Sequence, residues 1–339
     1  MSKAQKIIDK GDFESYDHLE EMVREALQVG EVDTGTADVF FNLDEVLDDD
    51  FRHPIPIGIT GIDNLLKGGL AKGEIGVILA PTGVGKTTVL SKIANNAFNL
   101  GYNVLQIFFE DNPKIIQRKH FTMWTKIAPD NLSLQREEVL EKVKQIKENA
   151  PNRLILKKLP SDTLTMNQIK NQMRKMIAEG IKLDLVVVDY IDCIVPDKNL
   201  GDEWKSEGSV MRGFESMCHE LDIAGWTATQ GNRSSISSEV VTTDQMGGSI
   251  KKAQVGHVII SIAKSLQQKE MNLATIAITK SRIGKDGIVF ENCKFDNEMI
   301  EIDTDSSVTF LGMEEQKEEK NKVRIQELLQ KRKQRESKI

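Results

Sequence analysis

Cysteine, long apolar runs and an excess of positive charge are all scarce in this 339-residue sequence, and each scarcity narrows what it can be. The three cysteines, Cys193, Cys218 and Cys293, form no CxxC pair, which argues against a disulfide framework or a thiolate metal knuckle. They read as small buried hydrophobes in a reducing compartment. No run of about 18 apolar residues is present, so no transmembrane helix is expected. The N-terminus, MSKAQKIIDKGDF, lacks the apolar core of a secretory signal, and a cytoplasmic location without a membrane partner is expected. The formal net charge of −7 argues against a surface coated uniformly for nucleic acid. A local basic channel stays compatible with it, because phosphate contacts depend on where charge sits. No repeat of solenoid period and no low-complexity tract stands out.

What is present divides into three zones. Residues 1–50 are acidic and end in LDEVLDDD. Within them Leu19, Met22, Val23, Ala26 and Leu27 share one helical face, Asp17 and Glu20 suit a first turn, and Gly30 suits the stop. This amphipathic helix, over about 16–28, has no apolar partner of its own, so it is expected to dock on the main domain or on a neighbouring subunit. Residues 51–312 alternate strand with helix, which predicts an α/β fold with a mainly parallel sheet. IGVILA (75–80), NVLQIFF (103–109) and LDLVVVD (183–189) read as buried strands, and Met166, Ile169, Met173 and Ile177 mark a helix closing at Gly180. HVIISIA, LATIAITK and the pair IVFENCKF and MIEID, joined by an Asp296-Asn297 turn, predict an antiparallel edge. Residues 313–339 are almost wholly charged and read as a solvated helix or frayed tail.

The strongest chemical signal is Ala80-Pro81-Thr82-Gly83-Val84-Gly85-Lys86-Thr87, continued by Thr88, between the strand IGVILA and the helical spacing of Val89, Leu90, Ile93 and Ala97. Strand, glycine-rich loop and helix in that order are the context of a P-loop. Gly83 and Gly85 allow backbone N–H groups to turn inward on phosphate oxygens, and the new helix presents its positive end. Lys86 supplies charge to the β- and γ-phosphates of ATP, and Thr87 a hydroxyl to Mg²⁺. The first motif position is Ala80 rather than glycine, so the chain must enter the loop with an ordinary backbone there.

LDLVVVD ends in Asp189, which puts a carboxylate at the edge of the sheet beside the P-loop, where it can hold the water shell of Mg²⁺. Tyr190 follows it, so the base that activates water must come from elsewhere. Glu110, after NVLQIFF, is the candidate; the competing reading is a cap for the helix beginning near Pro113.

These residues resemble the DnaB-type hexameric replicative helicases, phage-encoded members among them, over roughly 51–305. The likeness starts in IPIGITGIDNLLKGGLAKGEIGVILA and continues through APTGVGKTT; FFED matches the position of the family's catalytic glutamate, and VVVDYIDCI its second Mg²⁺ motif. It implies a RecA-like P-loop NTPase preceded by a linker helix, here the helix at 16–28. WTATQGNRSS is similar to the strand ending in a γ-phosphate-sensing glutamine, which maps to Gln230, with a turn cap as the competing reading. ITKSRIGKDG is similar to the family's Lys-x-Arg-x-Gly element and maps to Lys280, Arg282 and Gly284, cations that reach the neighbouring subunit's γ-phosphate; the competing reading is a solvent-facing strand.

The resemblance therefore implies a hexameric ATPase ring with ATP at each interface, moving 5′ to 3′ on single-stranded DNA during replication, with a primase, loader or other replisome protein as partner. The segments 197–208 and 231–247 have the composition of DNA-gripping loops, with Arg233 and Lys251, and more weakly Lys205, as phosphate contacts. Trp204 is their one stacking aromatic. Two departures stand out. Lys251 and Lys252 occupy positions where acidic and amide side chains are usual, and about 50 residues precede the motor where the family carries a helical collar, so a partner is expected to replace the collar. A RecA-like recombinase or annealing ATPase, with Phe40-Phe41 as its polymerisation segment, is the alternative, and a loading or regulatory ATPase a third reading.

Overall fold

The computed structural model describes residue 47, residues 52–197, residues 203–304 apart from 233–234, 236–237, 239 and 247–249, and residues 308–310. The helix expected at 16–28, the Phe40-Phe41 pair, Arg233 and the charged tail lie outside the described residues. The fold described here belongs to the unit that begins at Arg52.

Among the described residues ten strands form one sheet: β1 (Ile75–Ala80), β2 (Val104–Phe108), β3 (Leu154–Lys158), β4 (Leu185–Asp189), β5 (Ala224–Gln230), β6 (Val258–Ala263), β7 (Leu273–Ser281), β8 (Ile288–Asp296), β9 (Glu301–Asp303) and β10 (Val308–Phe310). They lie in the order β10-β8-β7-β6-β1-β5-β4-β2-β3, with β9 also paired to β8. From β6 to β3 the pairing is parallel; β7, β8, β9 and β10 add antiparallel neighbours. Every residue of β1, β2 and β4 is buried. Helices cover both faces of a sheet of this kind, so its central strands read as unbroken apolar runs rather than alternations.

The described helices are α1 (Thr60–Leu65), α2 (Lys86–Asn99), α3 (Pro113–Thr125), α4 (Arg136–Asn149), α5 (Met166–Ala178), α6 (Glu203–Glu220), α7 (Ile250–Val255) and α8 (Leu266–Glu270). On one face Val89, Leu90, Ile93 and Ala97 of α2 join Ile78, Val187, Trp226 and Ala228 in one core. On the other, Met166, Ile169 and Met173 of α5 and Met211, Phe214 and Met217 of α6 pack on Val77, Leu79, Val186 and Val188. α5 begins with a capping box, Thr165 accepting from the Gln168 N–H while Gln168 accepts from the Thr165 N–H. The three cysteines are buried thiols within these two cores.

Two expectations need correction. Residues 197–208 are not a loop throughout, since α6 starts at Glu203 and carries Trp204 and Lys205 in its first turns. The Gly and Asp content hid a helix whose stability comes from the apolar face further along it, at Val210, Met211, Phe214 and Met217. The β8–β9 turn is also longer than Asp296-Asn297, because Asp296 Oδ1 accepts from the N–H groups of Glu298 and Met299 at 2.8 and 3.0 Å. Ile300, at φ 56°, completes the turn, and β9 begins at Glu301.

Candidate active site

The parallel strands bring distant parts of the sequence to one edge. Ala80 at the end of β1 is level with Gln230 at the end of β5, and Phe108 at the end of β2 is level with Asp189 at the end of β4. With β5 and β4 lying between β1 and β2, four strand ends open on one crevice, which is where open α/β sheets bind ligands.

The loop from Ala80 to Gly85 turns through Gly83 at φ 76° and Gly85 at φ 121°. Pro81, Val84 and Thr88 are buried and anchor the loop, whereas Thr82 and Gly83 are exposed. Open space faces Gly83, with no heavy atom within 4 Å of where a Cβ would stand. Ala80, the last residue of β1, keeps a negative φ, as the ordinary entry backbone requires. α2 starts at Lys86 with Gly85 as its N-cap, no side chain capping it and no acidic residue in its first turn. An anion is the natural partner for such a terminus. Lys86 Nζ folds back over the loop, 3.3 and 3.5 Å from the carbonyls of Ala80 and Pro81, and 5.8 Å from the Tyr190 ring. Burial pulls its ammonium below the usual lysine range, opposed by Asp189, Asp192 and Glu110.

Asp189 is a buried carboxylate hydrogen-bonded to Thr87, and burial pushes it up to about 6, with Asp111 and Glu110 adding repulsion against Lys86. A divalent cation between the Thr87 hydroxyl and this carboxylate would offset that cost, so the donor set fits Mg²⁺ with nucleotide phosphates completing its shell. Glu110 does not cap the next helix: Asn112 does, its Oδ1 accepting from the Lys114 N–H at 2.9 Å. The Glu110 carboxylate instead accepts from the Tyr190 hydroxyl at 3.2 Å. The Gln230 side chain is turned to the P-loop and donates to Thr82 Oγ1 at 2.6 Å.

Lys280 and Arg282 stand at the opposite edge. Lys280 is level with Ile259 of β6, Ser281 with Val258, and Val258 with Gly76 near the start of β1. Lys280 is thus level with Val77, about 10 Å from the end of β1 at about 3.3 Å per residue, and Arg282, bonded through His257 to Ile75, about 16 Å from it. The Lys280 ammonium donates to the carbonyls of Ala253, Gln254 and Gly256, at 2.6, 2.8 and 2.7 Å, and so caps the C-terminus of α7. Burial, with Arg282 adding repulsion, brings it down to about 8. Arg282 is exposed, one nitrogen donating to Gln254 O at 2.6 Å. Gly284 lies against α1, where a Cβ would come within 1.9 Å of the Leu65 carbonyl oxygen, so no other residue fits there.

The family described as DnaB-like helicase C terminal domain matches residues 54–304. The chain belongs to that family. It is 21% identical over 243 residues to the DnaB-like replicative helicase of Enterobacteria phage T4, covering 68% of this chain and 50% of that protein. Over 189 residues it is 26% identical to the replicative DNA helicase DnaB of Buchnera aphidicola subsp. Baizongia pistaciae (strain Bp), covering 52% of this chain and 40% of that one. The chain thus spans half or less of these relatives' length. A solved structure of a DnaB-like replicative helicase and its interactions with primase superposes with TM-score 0.70 at 17% identity, over 89% of this chain and 76% of that one. A second solved structure, an ATPase domain, superposes at 0.65, also at 17% identity, over 87% of this chain and all of that one. The fold is RecA-like.

In this DnaB-like domain several residues near the crevice escaped the sequence reading. Asp192, three residues past Asp189, accepts from Thr229 Oγ1 at 3.0 Å, from the Gln230 N–H at 3.2 Å and from Lys252 Nζ at 2.5 Å. Lys252 is buried, so the extra cation noted at this position forms an internal ion pair and does not line a channel. Lys251 is half-buried, its stem over Gly208 of α6. Lys205 is placed only by α6, which packs on α7. The base of the 231–247 loop is pinned by the Gly231–Met246 bridge and by the Asn232 N–H on Gln245 O at 2.7 Å. Asn297 and Phe295 of the β8–β9 hairpin close over Gly85, where a Cβ would meet them at 2.4 and 2.8 Å. Nothing in the sequence pairs these positions, because hydrogen bonds between distant elements leave no periodic trace.

Proposed function

We propose that this chain is the ATP-hydrolysing motor of a replicative DNA helicase, working in the cytoplasm as a hexameric ring that moves 5′ to 3′ on single-stranded DNA. One observation carries the reading: within a single chain of this family the phosphate loop and the Lys280–Arg282 pair occupy opposite edges of one sheet. About 10 to 16 Å from the P-loop along β1, and with both cations turned onto the carbonyl end of α7, they do not meet on one nucleotide in the same subunit, whereas head-to-tail neighbours bring one edge of each against the other of the next.

Each residue then has a task. Backbone N–H groups of residues 83–88 and the Lys86 ammonium bind the β- and γ-phosphates of ATP. Thr87 and Asp189 hold Mg²⁺, which when bound neutralises phosphate charge. The Glu110 carboxylate takes the proton of the attacking water, and Tyr190 orients that carboxylate. Gln230, held at its N–H by Asp192, reads the γ-phosphate from the end of β5. Arg282 of one subunit stabilises the charge developing in the next, and Lys280 fixes α7 beneath it. The loop after Gln230, through Arg233, and the starts of α6 and α7, through Lys205 and Lys251, grip DNA, so binding depends on salt and tolerates sequence. A primase or a loader is the expected protein partner.

The test is ATP hydrolysis with and without single-stranded DNA, for wild type and Arg282→Ala, with mass measured in the same buffer. DNA-stimulated hydrolysis by a hexamer, lost in the variant while nucleotide still binds, supports the ring motor. A monomer or open filament whose hydrolysis ignores both DNA and Arg282 overturns it, and a DNA-stimulated filament without unwinding supports the recombinase or annealing reading instead.

A further inference from the structure

Beyond the motif residues, one lysine touches the segment that carries Glu110. Past Phe109 the chain leaves the sheet: Phe108 O accepts from the Leu159 N–H at 3.0 Å, the Phe109 N–H donates to Asp189 O at 3.3 Å, and the next helix starts at Pro113. The carbonyls of Glu110 and Asp111 lie in that gap, beyond the reach of the sheet ladder. Lys158, the last residue of β3 and level with Phe108, donates to both, at 2.6 Å to Glu110 O and 2.8 Å to Asp111 O. Two residues of extended chain span about 6.6 Å, a length that a four-carbon stem matches. An ammonium with three rotatable donors can take two such carbonyls as a point charge, where a planar guanidinium has a fixed fork. Tyr190 flanks the same segment from β4, on the side chain of Glu110. Glu110 is therefore held from both neighbouring strands, at its backbone by Lys158 and at its carboxylate by Tyr190.

We propose that Lys158 is a positioning residue for ATP hydrolysis, setting the backbone from which Glu110 reaches the attacking water. The inference rests on Glu110 being the base. Displacing a catalytic group by about 1 Å can cost on the order of 10²-fold in rate. Lys158 fixes only one of the two ends of the segment, so Lys158→Met is expected to lower kcat about 10-fold, with KM unchanged within about twofold.

The experiment is DNA-stimulated ATP hydrolysis by the full chain as Lys158→Met, Lys158→Arg, Glu110→Gln and the double variant Lys158→Met/Glu110→Gln, each checked by its melting curve. Supporting results are a fall in kcat for Lys158→Met, partial recovery in Lys158→Arg, and no further loss when Lys158→Met is added to Glu110→Gln. An equal fold-loss in both backgrounds, a change confined to KM, or an unchanged kcat overturns the positioning role and leaves Glu110 as base. Wild-type hydrolysis by Glu110→Gln overturns the base assignment itself, and Lys158 with it. If Lys158→Met lowers the melting curve, Lys158→Gln, which keeps a donor at that edge, is judged by the same comparison.

Discussion

At one end of β1, positive-φ glycines, a buried carboxylate and a folded-back lysine surround open space, and at the other Lys280 and Arg282 rest on the carbonyl end of a short helix. The first edge is assembled from four strand ends of a single chain, and its features all favour an anion with a cation beside it. At the second edge the cations are satisfied locally by α7, and no phosphate-binding backbone stands near them among the described residues. The contrast teaches that one edge gathers groups suited to an anion, while the cations of the other are already engaged by their own helix, which is why a partner from outside is proposed for them.

The sharpest way to break this comparison is complementation. Arg282→Ala and Lys86→Ala should each lose on the order of 10³–10⁵ of the hydrolysis rate, yet a mixture of the two should recover part of it. In mixed assemblies the intact P-loop of one variant faces the intact Arg282 of the other. Mixtures no more active than either parent would show that both residues act within one chain. Next comes Glu110→Gln, expected to reduce single-turnover hydrolysis by about 10²–10⁴-fold while nucleotide affinity, measured by fluorescence titration, is kept.

A third variant probes the support beneath Gln230. Asp192→Asn leaves the buried Lys252 ammonium without its charge partner and should destabilise the domain by about 3–5 kcal/mol in denaturant unfolding. Adding Lys252→Met should recover most of that loss; if it does not, the ion pair is not the source. The smallest effect lies away from both edges. His120 is fully buried in a chain of hydrogen bonds, its Nδ1 3.2 Å from Asn95 Nδ2 and its Nε2 2.9 Å from Gln106 Oε1, with Gln106 donating to Ser91 at 3.1 Å. Burial, with Lys119 adding repulsion, brings it down to about 3 from an ordinary 6.5. The folded state therefore binds the proton less well, so this contribution is present above about pH 6.5 and lost as the pH falls towards 3. Between pH 7 and pH 5 it amounts to about 2 kcal/mol. The slope of stability against pH should flatten in His120→Gln; an unchanged slope would mean the imidazole stays neutral in both states.

Much of the fold and the placement of several site candidates at one sheet edge could be read in advance, and for identifiable reasons. A P-loop is contiguous, so Ala80 to Thr88 carries its own context of strand and helix. Asp189 and Glu110 were legible because each ends a run of apolar residues, and a buried strand must stop where the sheet meets water. β3, with half-buried residues at the sheet's edge, and β5, whose Thr227 and Thr229 are buried only because Val188 O and Asp192 accept their hydroxyls, lack that apolar signature. Lys252 shows the limit most clearly: its charge suggested a role at a surface, and only the proximity of Asp192 makes it internal.

By itself the sequence determined the local chemistry: a phosphate loop, strand-end carboxylates, a mainly parallel sheet and buried cysteines. These follow from short-range periodicity and backbone freedom, which are written residue by residue. Only the tertiary structure decided which strand ends share an edge, that Asn112 rather than Glu110 caps α3, that Lys158 and Tyr190 hold the Glu110 segment, and that Lys280 and Arg282 stand across the sheet from the P-loop. Such relations depend on strand order and register, which are set by burying all the apolar faces at once and not by any one segment.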